Sequence, residues 1–349
     1  MHNTVSKPGE IKYFESSAGA RIYQIPIQMF PILKGYAYLV FVDDGASKYR
    51  VLIDSGSGFG ESNQHLESGV KAVAENEGRS FGYDKLTHVF ITHGHIDHFG
   101  GLTYLRPLTQ AKVGVHELDL RNLTNYEERL IVVARRLEGF LVEAGMPPEK
   151  LSQLIDLYMI TKGLYQSVKV DFTYGSGGMQ AGPFEMLHVP GHCAGHVVIR
   201  LHDVLFSGDH VLNEISPHQS PERLTLSTGL GHYLDSLETL RGWADGISLT
   251  LGGHKSPIHD LTGRLDTISD FHQSRLTQIL DILDEPQTIV EISRMVFGKV
   301  HGYNVLLALE ETGAHIEYLY QHGQLGIANL TELENGTGPV PIQYYRIGE

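Results

Sequence analysis

Residues 92–101 read THGHIDHFGG: three histidines and one aspartate fall within the six positions from His93 to His98, and two glycines follow. The preceding stretch, Leu86 to Thr92, has the character of a strand, which puts the cluster on a loop where side chains can turn into a cleft. Neutral imidazole and carboxylate are standard ligands of borderline divalent ions such as zinc. On extended backbone alternate residues share a side, so His93 and His95 suit one ion, while Asp97 and His98 are displaced enough to hold a second. Chance would place HxHxDH in a chain of this composition only about a few times in a thousand. A helix is expected next, from about Phe99 to Leu108.

A solvated histidine loop would not predict further isolated ligands, yet three candidates each follow a strand. In VPGHCAGH, 189–196, Pro190 ends a strand and Gly191 frees the backbone so that His192 can turn inward. His196 opens the next strand and reads as a hydrogen-bonding neighbour of the ligands, since ligating histidines need such partners. In LFSGDH, 205–210, an apolar strand delivers Asp209, whose two oxygens can bridge two ions. In LGGHKSPIHD, 251–260, His254 follows a strand and two glycines. His210 and His259 read as surface or supporting residues, and His218 and Tyr233, in SPHQSPERLTLSTGLGHY, as polar residues bordering the cleft without a role in it.

The chain has 349 residues, 41% of them hydrophobic, enough for one large core or a large domain carrying a smaller one. No run approaches the roughly 18 apolar residues of a membrane span, residues 1–14 lack the pattern of a signal peptide, and the lone Cys193 excludes an internal disulfide. A cytoplasmic protein without membrane contact is the expectation. The formal net charge of -14 disfavours nucleic acid as a partner, because such affinity rests on clustered Lys and Arg.

Strands are expected at Arg21 to Ile27, Ala37 to Val42, Tyr49 to Ile53, Pro183 to Val189, Val197 to Leu201, Val204 to Ser207 and Ile247 to Leu251, with a helix over Tyr233 to Ala244. Between about 117 and 166 the pattern is helical. Leu130, Val133, Leu137, Phe140 and Ala144 form one apolar stripe; MPPEK at 146–150 breaks it; Leu151, Leu154, Ile155, Tyr158 and Met159 form a second. These stripes either pack as ordinary core or make a lid over a substrate pocket. After His259 three helices (Asp260 to Leu283, Thr288 to Phe297, Tyr303 to His322) and two short strand-like pieces around Gly326 and Tyr344 suggest a winged-helix-like unit. The expected domains are 1–259, catalytic with the helical insert, and 260–349.

Taken in order, HxHxDH at 93–98, His192, Asp209 and His254, preceded by Asp54 in LIDSGSG, resemble the metallo-β-lactamase superfamily of binuclear hydrolases over about residues 10–260. The resemblance implies an α+β fold, a four-layer αββα sandwich with the site at one edge. It also implies one metal on His93, His95 and His192, the other on Asp97, His98 and His254, and Asp209 bridging. Asp54 would be a supporting residue, or else a plain turn aspartate. Beyond 260 the chain is similar, more weakly, to the C-terminal segment of the lactamase-β-like protein 2 group, through FHQSRLTQIL at 271–280 and the winged-helix-like unit.

The cofactors implied are two divalent ions, zinc first, with iron or manganese as alternatives. Two such ions, Asp97, Asp209 and a bridging hydroxide leave the centre about one unit positive, suited to an oxyanion. A metal lowers the pKa of water from about 15.7 toward 7, so the hydroxide can attack without a separate base; Asp97 is the expected catalytic residue, passing a proton to the leaving group. The expected reaction is hydrolysis of a thioester or carboxylic ester, lactones included, with an apolar acyl part in a small-molecule substrate. The alternatives are an RNA endonuclease or phosphodiesterase, as the C-terminal similarity suggests, an iron-dependent sulfur dioxygenase, and a metal-binding scaffold without catalysis. Residues 260–349 carry five Lys and Arg against thirteen Asp and Glu, which weighs against the nuclease. An exported β-lactamase is disfavoured because a bridging Asp209 is foreign to its usual ligand set. The stripe Val305, Leu306, Leu309 and Leu319 either packs on the catalytic part or makes a homodimer contact.

Overall fold

Along the strand Leu33–Asp44, Ala37, Leu39 and Phe41 face one way and Tyr38, Val40 and Val42 the other, and both sets are buried. A strand apolar on both faces belongs to a sheet covered on both sides, and that requirement builds the layers. The computed structural model describes residues 9–45, 47–78, 81–175 and 179–348; of the opening stretch 1–14, residues 1–8 lie outside them. One sheet holds seven strands in chain order, β1 (Lys12–Glu15), β2 (Arg21–Phe30), β3 (Leu33–Asp44), β4 (Ser47–Ile53), β5 (His88–Phe90), β6 (Lys112–His116) and β7 (Phe172–Tyr174). The first four run antiparallel to one another and the last four parallel. The other holds five, β8 (Met179–Ala181), β9 (Phe184–His188), β10 (Val197–Leu201), β11 (Val204–Gly208) and β12 (Leu249–Gly252), in the order β12-β11-β10-β9-β8.

Three apolar cores fill the spaces between four layers. Ile22, Val40, Val51 and Phe90 of the first sheet meet Phe184, Ile199, Phe206 and Leu251 of the second. The outer face of the first sheet packs on α1 (Ser62–Glu77), through Leu66, Val70 and Val73, and on two short helical turns, α2 (Ile96–Phe99) and α3 (Leu102–Leu105). Next come α4 (Leu120–Thr124), α5 (Tyr126–Glu143) and α6 (Pro148–Lys162), which form the insert, then α7 (Leu230–Trp243), α8 (Leu261–Asp281), α9 (Ile289–Phe297), α10 (Asn304–Gln321) and α11 (Leu330–Asn335). Leu137 and Phe140 of α5, Leu237 of α7, Leu265 of α8, and Leu309 and Ile316 of α10 share one core with Val198 and Leu205 of the second sheet. The result is the expected α+β sandwich of helix, sheet, sheet and helix. Among the described residues no helix is long and apolar enough to cross a membrane.

Several expectations are corrected. The helix expected from Phe99 to Leu108 is broken into α2, α3 and a 3-10 turn at Arg106–Leu108, because Gly100 and Gly101 interrupt it and Pro107 lacks a backbone donor. Leu306, Leu309 and Leu319 are buried in the chain's own core, with Val305 packed against it, so that stripe is not free for a second copy. His210 is fully buried against Tyr233, not on the surface, whereas His259 is exposed. The strands at the C-terminal end do form and pair: β13 (Leu325–Ile327) lies antiparallel to β14 (Tyr344–Arg346).

Gly100 and Gly101 do more than stop a helix. The loop after β4 runs against them, with the Gly101 N–H donating to the Gly56 carbonyl at 2.9 Å and the Ser55 N–H to the His98 carbonyl at 2.7 Å. A Cβ at Gly101 would overlap the Ser55 carbonyl oxygen, and one at Gly100 the Ser57 carbonyl oxygen. Both neighbours are backbone and cannot swing away. Gly101→Ala is therefore expected to destabilise the protein by about 1–3 kcal/mol or more, whereas Gly139→Ala, with nothing within 4 Å on α5, should stabilise it by about 0.5–1 kcal/mol. Thermal unfolding of the two variants measures the difference, and equal midpoints would refute the close approach.

Candidate metal centre

Every expected ligand sits at the end of a strand or in the turn that follows, at the same edge of the two sheets. His93 and His95 follow β5, and Asp97 and His98 lie in α2. His192 lies between β9 and β10, Asp209 directly after β11, and His254 just after β12. Separated by up to 161 positions in sequence, they fall into two groups: His93, His95 and His192 in one, Asp97, His98, Asp209 and His254 in the other, with the candidate donor atoms of each group within 4.8 Å of one another. Asp209 joins the two. Its Oδ1 lies 3.5 Å from His98 Nε2, and its Oδ2 lies 3.4 Å from His254 Nε2 and 3.9 Å from His192 Nε2.

Four of the five rings, those of His93, His98, His192 and His254, are aimed by an outer partner. His98 Nδ1 donates to Asp54 Oδ2 at 2.7 Å, His192 Nδ1 to the His218 carbonyl at 2.7 Å, and His254 Nδ1 to the Lys34 carbonyl at 2.6 Å. The Thr92 hydroxyl donates to Asp54 at 2.9 Å, which leaves its oxygen to accept from His93 Nδ1 at 3.1 Å. Asp54 thus orients one histidine of each group. Its backbone has φ +58°, a conformation that aspartate tolerates better than most residues, so it is both a turn aspartate and a supporting one. His196 stacks on His93 at 4.5 Å between ring centroids, and its Nε2 accepts the Asp209 N–H at 3.0 Å; it supports the ligands without joining them.

With one side of these four rings anchored, the other converges on the centre. Among buried polar atoms, His98 Nε2, His192 Nε2 and Asp209 Oδ1 have no hydrogen-bond partner, and His93 Nε2 and His95 Nδ1 point together at 3.1 Å. Orphaned donors and acceptors in a buried site are costly, and divalent ions satisfy this set. Imidazole nitrogens and carboxylate oxygens anchored from behind are the arrangement that metal ligation needs.

The two groups differ electrically. Burial holds His93, His95 and His192 below the usual imidazole range, so they are neutral. In the other group burial also opposes charge, but Asp209, Asp54 and Asp97 outweigh it and raise His98, while Asp209 and Asp97 push His254 up to about 10. Without metal the acidic half thus keeps its protons on imidazole at neutral pH. A metal must displace those protons, so its affinity there is expected to rise with pH from 7 toward 10 and its binding to release protons. Titration calorimetry of the metal-free protein in buffers of different ionisation enthalpy counts them. Uptake or release of none would contradict the assignment.

Three supports escaped the sequence. Asp119, buried after β6, accepts from the Gly94 N–H at 2.7 Å and the Gly195 N–H at 3.0 Å, pinning the loop of His93 and His95 to that of His192. Its signal was the same as that of the ligands, a polar residue shortly beyond a strand. The Lys34 and His218 carbonyls carry no side-chain signal at all. His218 is itself held by α10, its Nε2 lying 3.1 Å from Glu310 Oε2 and its Nδ1 3.4 Å from Glu311 Oε2.

Beside the first group opens a pocket lined by Leu130, Val133 and Leu137 of α5, Tyr158 of α6, Leu224 and Tyr303, together with His95 and His192. The insert packs as core through Phe140 and Leu141, while Leu130 and Val133 line this pocket.

Residues 32–262 match the family model described as the metallo-beta-lactamase superfamily. A metallo-beta-lactamase fold-containing protein of Sulfurisphaera tokodaii is 31% identical over 40% of this chain and 51% of its own length. The lactamase-like protein nscB of Neosartorya fischeri is 25% identical over 74% of this chain and 60% of its own. The chain thus spans between half and three fifths of these curated relatives. A metallo-beta-lactamase family protein of Thermus thermophilus has a solved structure with TM-score 0.72 and 25% identity, covering 93% of this chain and 98% of that one. A beta-lactamase domain protein from Burkholderia ambifaria gives 0.73 at 20% identity over 99% and 97%, so the likeness in fold extends through the C-terminal helices.

Proposed function

Because the chain belongs to the metallo-beta-lactamase superfamily, we propose that it is a metal-dependent hydrolase of a thioester or carboxylic ester, lactones included, whose acyl part is apolar. The observation that carries this reading is the adjacency of the converging ligand set to the apolar wall of Leu130, Val133, Leu137 and Leu224. His93, His95 and His192 would hold one ion, Asp97, His98 and His254 the other, with Asp209 between them. Bound divalent metal supplies Lewis acidity, polarising the acyl oxygen and bringing the pKa of water from about 15.7 toward 7. The chain's residues do the rest. Asp54, Thr92 and the His218 and Lys34 carbonyls keep the imidazoles in one tautomer; the apolar wall receives the acyl chain and excludes water; Asp97, its Oδ2 3.3 Å from His254 Nε2, is placed to pass a proton to the departing group. Water adds to the acyl carbon, the C–S or C–O bond breaks, and a thiol or alcohol leaves with that proton, so no oxidant or reductant is needed.

The test is metal analysis of the purified protein with parallel assays on acyl thioesters, lactones, aryl esters and an RNA phosphodiester. Turnover of the acyl substrates by metal-replete protein supports the reading. Cleavage of RNA alone, oxygen consumption with bound iron, or metal without any turnover would each overturn it in favour of a nuclease, a sulfur dioxygenase or a scaffold.

A further inference from the structure

Two cations line the pocket without an ion pair among the described residues. Arg129, on α5, gives its Nε to Asn122 Oδ1 at 3.1 Å and its Nη2 to Thr225 Oγ1 at 3.0 Å, both neutral acceptors, which leaves Nη1 over. Lys162, the last residue of α6, lines the same pocket and lies 6.0 Å from the Tyr303 ring centroid. Among the described residues neither forms an ion pair, in a chain with 41 acidic to 27 basic side chains. Both are partly buried, and desolvation weakens Arg129's hold on its proton. A half-buried cation without a counterion is costly, and here two of them line the same cavity.

The one carboxylate in the lining is already satisfied. Glu310 Oε2 accepts from Ser220 Oγ at 2.9 Å and meets His218 Nε2 at 3.1 Å. With Glu310 engaged by Ser220 and His218, Arg129 Nη1 and the Lys162 ammonium are the groups in this lining left to receive an anion.

We infer that this pocket selects an acyl group ending in a carboxylate, its apolar stem along Leu130, Val133, Leu137 and Leu224 and its terminus received by Lys162 and Arg129 Nη1. The inference rests on the hydrolase reading above and amends its acyl part: the stem stays apolar but ends in a carboxylate, as in the half-thioester or half-ester of a short dicarboxylic acid.

Matched N-acetylcysteamine thioesters test it on the metal-replete protein: pentanoyl, glutaryl and 5-aminopentanoyl chains have the same length and different ends. A charge-assisted hydrogen bond corresponds to about tenfold or more in kcat/KM. The expected result is glutaryl over pentanoyl by at least that factor, with the ratio collapsing in Lys162→Met and Arg129→Leu and the aminopentanoyl ester gaining in Lys162→Glu. Glutarate binding, followed by calorimetry against pentanoate as the control, should weaken about tenfold in Lys162→Met. Pentanoyl turned over as well as glutaryl would overturn the subsite and leave the hydrolase reading standing. No turnover of these thioesters or of the esters and lactones above, with glutarate still bound and weakened by Lys162→Met, would sustain the subsite and overturn the hydrolase reading. Glutarate binding no better than pentanoate, or unaffected by Lys162→Met, would overturn the subsite.

Discussion

Asp209→Ala is expected to lower turnover by well over 100-fold and to drop metal content from two ions per chain to one or fewer. Removing an outer partner of a metal ligand typically costs about 10- to 100-fold, and Asp209 is no outer partner. Its two oxygens reach His98 and His254 on one side and His192 on the other, so it is the side chain through which the two groups share charge. Its carboxyl is also the largest contribution raising the proton affinity of both His98 and His254. Removing it should therefore lower the pH at which metal begins to bind the acidic half, while that binding becomes weaker. Atomic emission on dialysed protein gives the stoichiometry and a chromogenic acyl ester the rate. A variant with two ions and more than a tenth of the original turnover would show that the groups do not act through Asp209. Asp209→Asn separates charge from shape: a fall as deep as that of alanine would assign the effect to the charge.

Why Asp209 could be read from sequence, while its supports could not, has a physical cause. Ligands are side chains of a few types, and a sheet edge collects them from strand ends, so a strand followed by glycine and a histidine or aspartate is a local signal for a distant arrangement. The strands β3, β10 and β11 were equally visible as continuous apolar runs, because each is buried on both faces by different partners. α1 went unnoticed although Leu66, Val70 and Val73 keep helical spacing; Gly69 lies within that stripe because a larger residue there would overlap Ile25. The strands β6, β7 and β8 are three to five residues long, too short for period to tell them from loops. The carbonyls that aim His192 and His254 belong to whichever residue stands there. Only the folded backbone reveals them.

Asp97→Asn is expected to leave both metals in place and to slow hydrolysis by about 100- to 10,000-fold, the usual contribution of a positioned acid or base, with the loss concentrated in poor leaving groups. Burial alone would raise the Asp97 carboxyl, but His98 and His254 hold it below the usual carboxylate range, so it carries a proton only in passing. A group of that kind serves a leaving atom that must be protonated as it departs, such as an alkoxide, and contributes little when the leaving group is a stable anion. The asparagine keeps an oxygen able to ligate and loses only the site for the proton. Rates for a series of esters from nitrophenyl to alkyl, at constant acyl group, should then fall more steeply with leaving-group pKa in the variant than in the wild type. A uniform loss across the series would place Asp97 in metal binding alone, and full turnover with two metals bound would remove it from the chemistry.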